Sequence, residues 1–241
     1  GEKISDSGIL RLIRSYLKAG IMDNLKEWIP EEGTPQGAII SPLLANIYLD
    51  PLDKLMAERG FEMTRYADDF VIQCQSEEEA RKALGIIAQW TESQGLTLHP
   101  DKTRIVNQLE QDFEFLGYRF HGKHKYPRDK SMKKFRENVR KLTKRSNGKS
   151  LGEITKGLNR MLKGWFGYFK HSHRAVFEGL DGWIRHRLRC ILIKRSDKIS
   201  RYRIWRTDSK RWPKTFFRVN GLFSLHEAFL QEYQSLKRAT R

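Results

Sequence analysis

A pair of adjacent carboxylates opening an apolar run constrains this chain more than any other feature of its sequence. Residues 65–72 read Arg65-Tyr66-Ala67-Asp68-Asp69-Phe70-Val71-Ile72. Phe70, Val71 and Ile72 favour extended chain. Asp is a poor strand residue, so an Asp pair at the head of a strand predicts a tight hairpin whose turn is the Asp-Asp itself. Held close, two carboxylates repel each other and lose hydration when partly buried. A divalent cation removes that penalty, and Mg²⁺ prefers hard oxygen ligands. Taken alone, the pair also fits an ordinary solvated turn; its neighbours decide between the two.

Upstream, Gly33, Pro35 and Gly37 punctuate a loop that carries Gln36, a side chain able both to donate and to accept. The loop runs into a helix predicted over residues 43–59, with Leu44, Ile47, Tyr48, Leu52, Leu55 and Met56 inward. Asp50 and Asp53 read as solvated positions on that helix. An earlier amphipathic helix is expected over 7–19, packing through Ile9, Leu12, Ile13, Tyr16 and Leu17, with Asp6 at its N-cap. Residues 21–28 read as a strand or turn. Strands are predicted at 61–66, 70–75, 103–107 and 113–120, the last broken by Gly117, with a helix from Ser76 to about Ser93. The fold class expected for 30–120 is therefore α+β, antiparallel strands with helices packed on one face.

Charge divides the chain. Residues 1–118 hold 12 Lys/Arg against 20 Asp/Glu, whereas 119–241 hold 34 against 9, and together they give the net +17. The net of +25 in the second part calls for a polyanion, and structured nucleic acid is the first candidate. A membrane surface is the competing polyanion, but no transmembrane run, signal peptide or lipidation motif supports it. The split places a domain boundary near residues 117–122. The two cysteines, Cys74 and Cys190, lie far apart, exclude a Cys-rich zinc site and point to a reducing compartment.

Beyond the boundary the period becomes helical. Phe135, Val139 and Leu142 make one stripe. Leu151, Ile154, Leu158, Met161, Leu162, Trp165 and Phe169 make a second, and Phe177, Leu180, Ile184, Leu188 and Ile191 a third. Three amphipathic helices with basic outer faces predict a small bundle, with the aromatic run 165–169 in its core. Residues 195–220 interleave Arg, Lys and Trp, a pattern that pairs with phosphates and stacks on bases, or else a basic tail without order. Residues 212–225 carry enough apolar side chains to fold back on the bundle.

The ordered set of the 33–50 loop and helix, the 65–72 stretch, Gly95-Leu96-Thr97-Leu98-His99-Pro100-Asp101-Lys102 and Phe113-Glu114-Phe115-Leu116-Gly117-Tyr118 resembles the palm of a reverse transcriptase. The likeness is to the bacterial group II intron reverse transcriptase/maturase family, and Gly164-Trp165-Phe166-Gly167-Tyr168-Phe169 extends it into the later part of the chain. The resemblance implies a partial right-hand palm over 1–120, followed over 121–241 by a helical thumb or maturase domain with a basic extension. It implies RNA-directed DNA synthesis with two Mg²⁺ ions, and intron RNA binding that assists splicing and mobility. Asp68 and Asp69 would be the metal-binding, catalytic carboxylates and Lys102 a catalytic cation at the triphosphate. Gln36, Gly37 and Ala38, the last a Gly in many relatives, would lie beside the incoming nucleotide. Tyr66 would pack under the primer terminus, and Leu116 and Gly117 would hold the primer backbone. Nucleic acid would be bound by Lys133, Lys134, Arg140, Lys144, Arg145 and Lys163, and further on by Arg185, Arg189, Arg201, Arg203 and Arg206.

The partners implied are structured intron RNA, an RNA template with a DNA primer, and deoxynucleoside triphosphates, in a bacterial cytoplasm and with no membrane; a homodimer stays open. The family's palm has another metal-binding Asp on a strand upstream of the 7–19 helix, and fingers before that, both expected to precede this chain. On that ground the chain alone is expected to polymerise poorly. Two alternatives remain: an RNA-binding maturase module without polymerase activity, and a retron or defence-type reverse transcriptase.

Overall fold

The side chain of Asp6 accepts a hydrogen bond from the Ile9 N–H at 2.8 Å, and this cap begins α1 (Ser7–Lys18). The structure is a computed structural model that describes residues 4–18, 21–23, 26–28, 40–146, 148–195 and 209–239. The chain forms two compact units, Gly1–Ile105 and Val106–Arg241. It is mixed helix and sheet, and its sheets are small and antiparallel.

In the first unit, β1 (Ile21–Asp23) pairs with β2 (Lys26–Trp28). α2 (Ser41–Glu58) follows, with a proline in its first turn, where the missing N–H breaks no helical hydrogen bond. β3 (Glu62–Tyr66) and β4 (Asp69–Gln73) form a hairpin, and α3 (Glu77–Ser93) starts at Ser76, whose hydroxyl accepts from the Glu79 N–H at 3.2 Å. Leu52 and Met56 of α2 meet Ala83 and Ile87 of α3 over Phe61, and Met63, Phe70, Ile72 and Cys74 close this core from the hairpin side.

Three expectations for this unit change. The α1 stripe is not packed away: Ile9, Leu12 and Tyr16 are about half exposed. Tyr48 points outward, where its hydroxyl donates to the Gln94 carbonyl at 2.8 Å; a phenol settles with its tip at a polar partner. Among the described residues, 103–107 pair with no strand, and the Thr103 N–H bonds back to the His99 carbonyl at 2.9 Å in a turn.

The second unit opens with a three-stranded meander, β5 (Phe113–Phe115), β6 (Tyr118–His121) and β7 (His124–Pro127). The single broken strand expected over 113–120 is therefore two strands, because Leu116 and Gly117 both take positive φ, 48° and 77°, and reverse the chain. α4 (Asp129–Leu142), α5 (Leu151–Phe169) and α6 (Arg174–Arg195) carry the three predicted stripes. Their buried members join one core with Trp212, with Phe217 of α7 (Lys214–Val219), and with Leu225, the first residue of α8 (Leu225–Ala239). The fold-back of 212–225 thus holds. Asp181 of α6 is buried, and its carboxylate accepts from the Ser224 hydroxyl at 2.6 Å and from the Leu225 and His226 N–H groups at 3.0 and 3.2 Å. One helix thereby caps the start of another. Among the described residues, no helix is long and apolar enough to cross a membrane.

Candidate functional site

The turn of the β3–β4 hairpin is Ala67-Asp68, since Tyr66 pairs with Asp69 across the ladder. The Asp-Asp pair is thus split: Asp68 lies in the turn and Asp69 opens β4, which corrects the expected Asp-Asp turn. Ala67 takes φ 54°, a left-handed conformation that lets a two-residue loop follow the twist of its strands and that a side chain disfavours. Strain of this kind persists only where surrounding contacts hold it.

Those contacts come from Arg65. Its Nε donates to Asp53 Oδ1 at 2.7 Å and its Nη2 to Asp53 Oδ2, a two-pronged pair with a carboxylate of α2. Its Nη1 donates to Asn46 Oδ1 at 2.9 Å and to the Ala67 carbonyl at 2.8 Å. The Arg65 side chain is only 9% exposed, and its pKa is raised by the Asp53 hydrogen bond, with Asp53 and Asp50 charges adding to the effect against burial. Asp53, expected to be solvated, is instead the anchor of the clamp. Neither residue was singled out from the sequence as a site residue; they stand 12 positions apart, across a helix-to-strand junction that no short-range spacing rule spans.

Asp68, Asp69 and Tyr66 all stand exposed at this end of the hairpin. Neither carboxylate has a hydrogen bond or ion pair among the described residues, so both remain open acceptors. Their chemistry suits a hard divalent cation. They supply two ligands, and no group of three or more His, Cys, Asp and Glu side chains comes together among the described residues. Lys102 belongs to the same unit and is exposed on a turn, its N–H bonded to the His99 carbonyl at 3.2 Å. No hydrogen bond or ion pair joins it to Asp68 or Asp69. Gln36, Gly37 and Ala38 lie outside the described residues.

In the second unit the Leu116-Gly117 turn is braced as firmly. The Tyr168 hydroxyl of α5 donates to the Leu116 carbonyl at 2.7 Å, and the Tyr118 hydroxyl donates to the Tyr168 carbonyl. The Gly117 carbonyl accepts from the Arg128 N–H at 2.9 Å and from the Ser131 hydroxyl at 3.3 Å. A Cβ at Gly117 would meet Ser131 Oγ at 3.5 Å and the Phe169 ring at 3.8 Å, both ordinary contacts, so it is the positive φ that calls for glycine there. The aromatic run is therefore only partly core: Phe166 and Phe169 are buried, whereas Tyr168 is 55% exposed and holds the turn. Burial, with the Tyr168 hydroxyl adding to it and a hydrogen bond from His171 opposing it, pushes the Tyr118 phenol up to about 12.

Among the cations, Lys133, Lys134, Arg140, Lys144, Arg145 and Lys163 are exposed. Arg185 and Arg189 are half-buried, and the Arg189 Nε donates to the Trp212 carbonyl at 2.9 Å. Arg201, Arg203 and Arg206 lie outside the described residues. Arg187, which the sequence reading passed over, sits 5.8 Å from the Trp183 ring, and burial together with the charges of Arg140 and Arg145 lowers its pKa.

Comparison with known proteins places the chain by sequence. Residues 3–120 match the family described as reverse transcriptase (RNA-dependent DNA polymerase). Residues 132–216 match the group II intron, maturase-specific domain. The group II intron-encoded protein LtrA of Lactococcus lactis subsp. cremoris is 46% identical over 63 residues, 26% of this chain and 10% of that protein. An uncharacterized 91 kDa protein in the cob intron of Schizosaccharomyces pombe is 29% identical over 174 residues, 48% of this chain and 22% of that protein. The retron Ec86 reverse transcriptase of Escherichia coli is 39% identical over 81 residues, 32% of this chain and 25% of that protein. The chain thus spans a quarter or less of the length of these relatives. With a reverse transcriptase match followed by a maturase-specific match, the chain belongs to the group II intron reverse transcriptase/maturase family.

Proposed function

We propose that this chain contributes to RNA-templated DNA synthesis through Asp68, supported by Asp69, and that residues 119–241 hold intron RNA. The observation that carries the first part is the Arg65 clamp, which fixes a strained turn so that two unpartnered carboxylates stand at its tip. Mg²⁺ held at such a site would supply the positive charge that lowers the cost of activating the primer 3′-hydroxyl and of holding the triphosphate. Asp68 and Asp69 are the residues that would ligate it. The Tyr66 ring supports the primer terminus, and the Lys102 ammonium offsets charge on the triphosphate. The Leu116-Gly117 turn, with no side chain at its second residue, lets the primer backbone come close. In this reading 1–120 is part of a palm and 121–241 a thumb or maturase domain.

Primer extension on an RNA template, with and without Mg²⁺, tests the reading. Because Asp68 and Asp69 stand without a third ligand among the described residues, extension by the chain alone should be weak. It should disappear in Asp68→Ala. Extension that survives Asp68→Ala would refute the assignment of Asp68.

The charge split supports a second activity, stabilising folded intron RNA, which needs no metal site. Splicing assistance should then persist in Asp68→Ala and fail when the exposed cations of α4, such as Lys133 and Lys134, are replaced.

A further inference from the structure

A cleft of about 450 Å³ opens in the second unit between the β6–β7 hairpin, α4 and α6. Nothing in the polymerase reading uses it. Its volume falls within the range of small-molecule pockets. One wall is cationic: Arg136 and Arg140, four residues apart, project from the same face of α4, and Arg119 of β6 joins them. Asp129 also lines the cleft, the only carboxylate to do so among the described residues.

The three arginines differ. Arg119 lies 3.6 Å from Asp112 and 3.9 Å from Asp129, and its guanidinium sits 5.8 Å from the Tyr126 ring. Arg140 sits 5.9 Å from the Trp183 ring and makes no ion pair among the described residues. Arg136 is exposed and has no hydrogen bond or ion pair there. Arg187 lies 5.8 Å from the same Trp183 ring and adds like charge near Arg140, so the group gains by taking an anion.

The opposite wall is α6, where Ala175, Gly179 and Trp183 fall at intervals of four on one face. A Cβ built on Gly179 meets nothing within 4 Å. The wall is therefore apolar and open above Gly179, and it ends at an aromatic ring. A phosphate alone would leave this wall unused. A base inside a duplex could not reach it, since its faces are stacked on its neighbours. An unpaired nucleotide satisfies both walls.

We propose that the cleft receives one unpaired nucleotide of bound RNA, its phosphate on Arg136 and Arg140 and its base along the α6 wall beside Trp183. This rests on the reading that the basic half binds RNA. The test compares a fully paired RNA hairpin with the same hairpin carrying one bulged 2-aminopurine, at fixed salt. The expected results are binding about tenfold tighter for the bulged RNA, the order of one stacked base, and quenching of the 2-aminopurine. Gly179→Leu fills the open space along this wall without altering an arginine, in a helix where leucine is the better former. It should abolish the preference and the quenching, yet bind the paired hairpin as the wild type does. Arg136→Ala, at an exposed and unpartnered position, should reduce the preference without affecting folding. Equal binding of the two hairpins by the wild type, or an undiminished preference in Gly179→Leu, would overturn the proposal while RNA binding by the basic half stands. If neither hairpin binds, the RNA reading itself falls, and the pocket with it.

Discussion

At the scale of single residues, the Asp53–Arg65 pair is the most consequential contact outside the carboxylates themselves. Asp53 is partly exposed, but the guanidinium it meets is nearly buried, so removing the acid strands a charge rather than merely breaking a surface pair. Asp53→Ala should destabilise the first unit by about 1–3 kcal/mol, read from the shift of the urea midpoint at constant slope. An unchanged midpoint would show that the clamp is not holding the hairpin. The residues were legible very unevenly. Asp68, Asp69 and Tyr66 stand in one short run whose composition is unusual for a strand, so reading along the chain finds them. Arg65 and Asp53 acquire meaning only when a helix and a strand are brought together, and each alone reads as a solvated charge.

Elements carry two further predictions. α8 begins on the carboxylate of Asp181, which supplies a helix cap from a buried position. Asp181→Ala leaves the Leu225 and His226 N–H groups without that acceptor and should lower stability by about 2 kcal/mol, with amide exchange in α8 rising before that of α6. Tyr118 gives a pH test. Its phenol is raised in the fold to about 12 from an ordinary value near 10, so the folded state holds the proton more tightly than the unfolded chain. The resulting stability is fully present below pH 10 and is lost as pH climbs toward 12. Tyr118→Phe should flatten the decline of the melting temperature over that interval. The helices of the second unit were legible because a period of 3.6 fixes which face is buried whatever the partner. The strands were legible only in part: 113–120, with its break at Gly117, is found, but β7 reads His-Lys-Tyr-Pro, with no alternation, and exists because β6 offers it a ladder, whereas 103–107 has a strand-like composition and no ladder among the described residues. The α1 stripe likewise forms its helix without deciding what covers it.

For the whole molecule, the sequence states the polarity outright: net −8 over residues 1–118 and +25 over 119–241. If the basic part engages six or more phosphates, RNA affinity should fall roughly a thousandfold or more between 50 and 200 mM salt, with a linear dependence of log affinity on log salt. A shallow slope would assign binding to non-ionic contacts instead. A different consequence follows from the tyrosine that reaches from α5 to the Leu116 carbonyl. A two-residue turn would ordinarily open and close on its own schedule. This one is tied by the Tyr168 hydroxyl to a helix whose Leu158 and Leu162 are fully enclosed, so its opening is slowed by a well-packed neighbour. The lifetime of the turn is therefore coupled to the helical bundle, and under the proposed role of Leu116 and Gly117 remote core substitutions should be read out as a looser grip on the primer backbone.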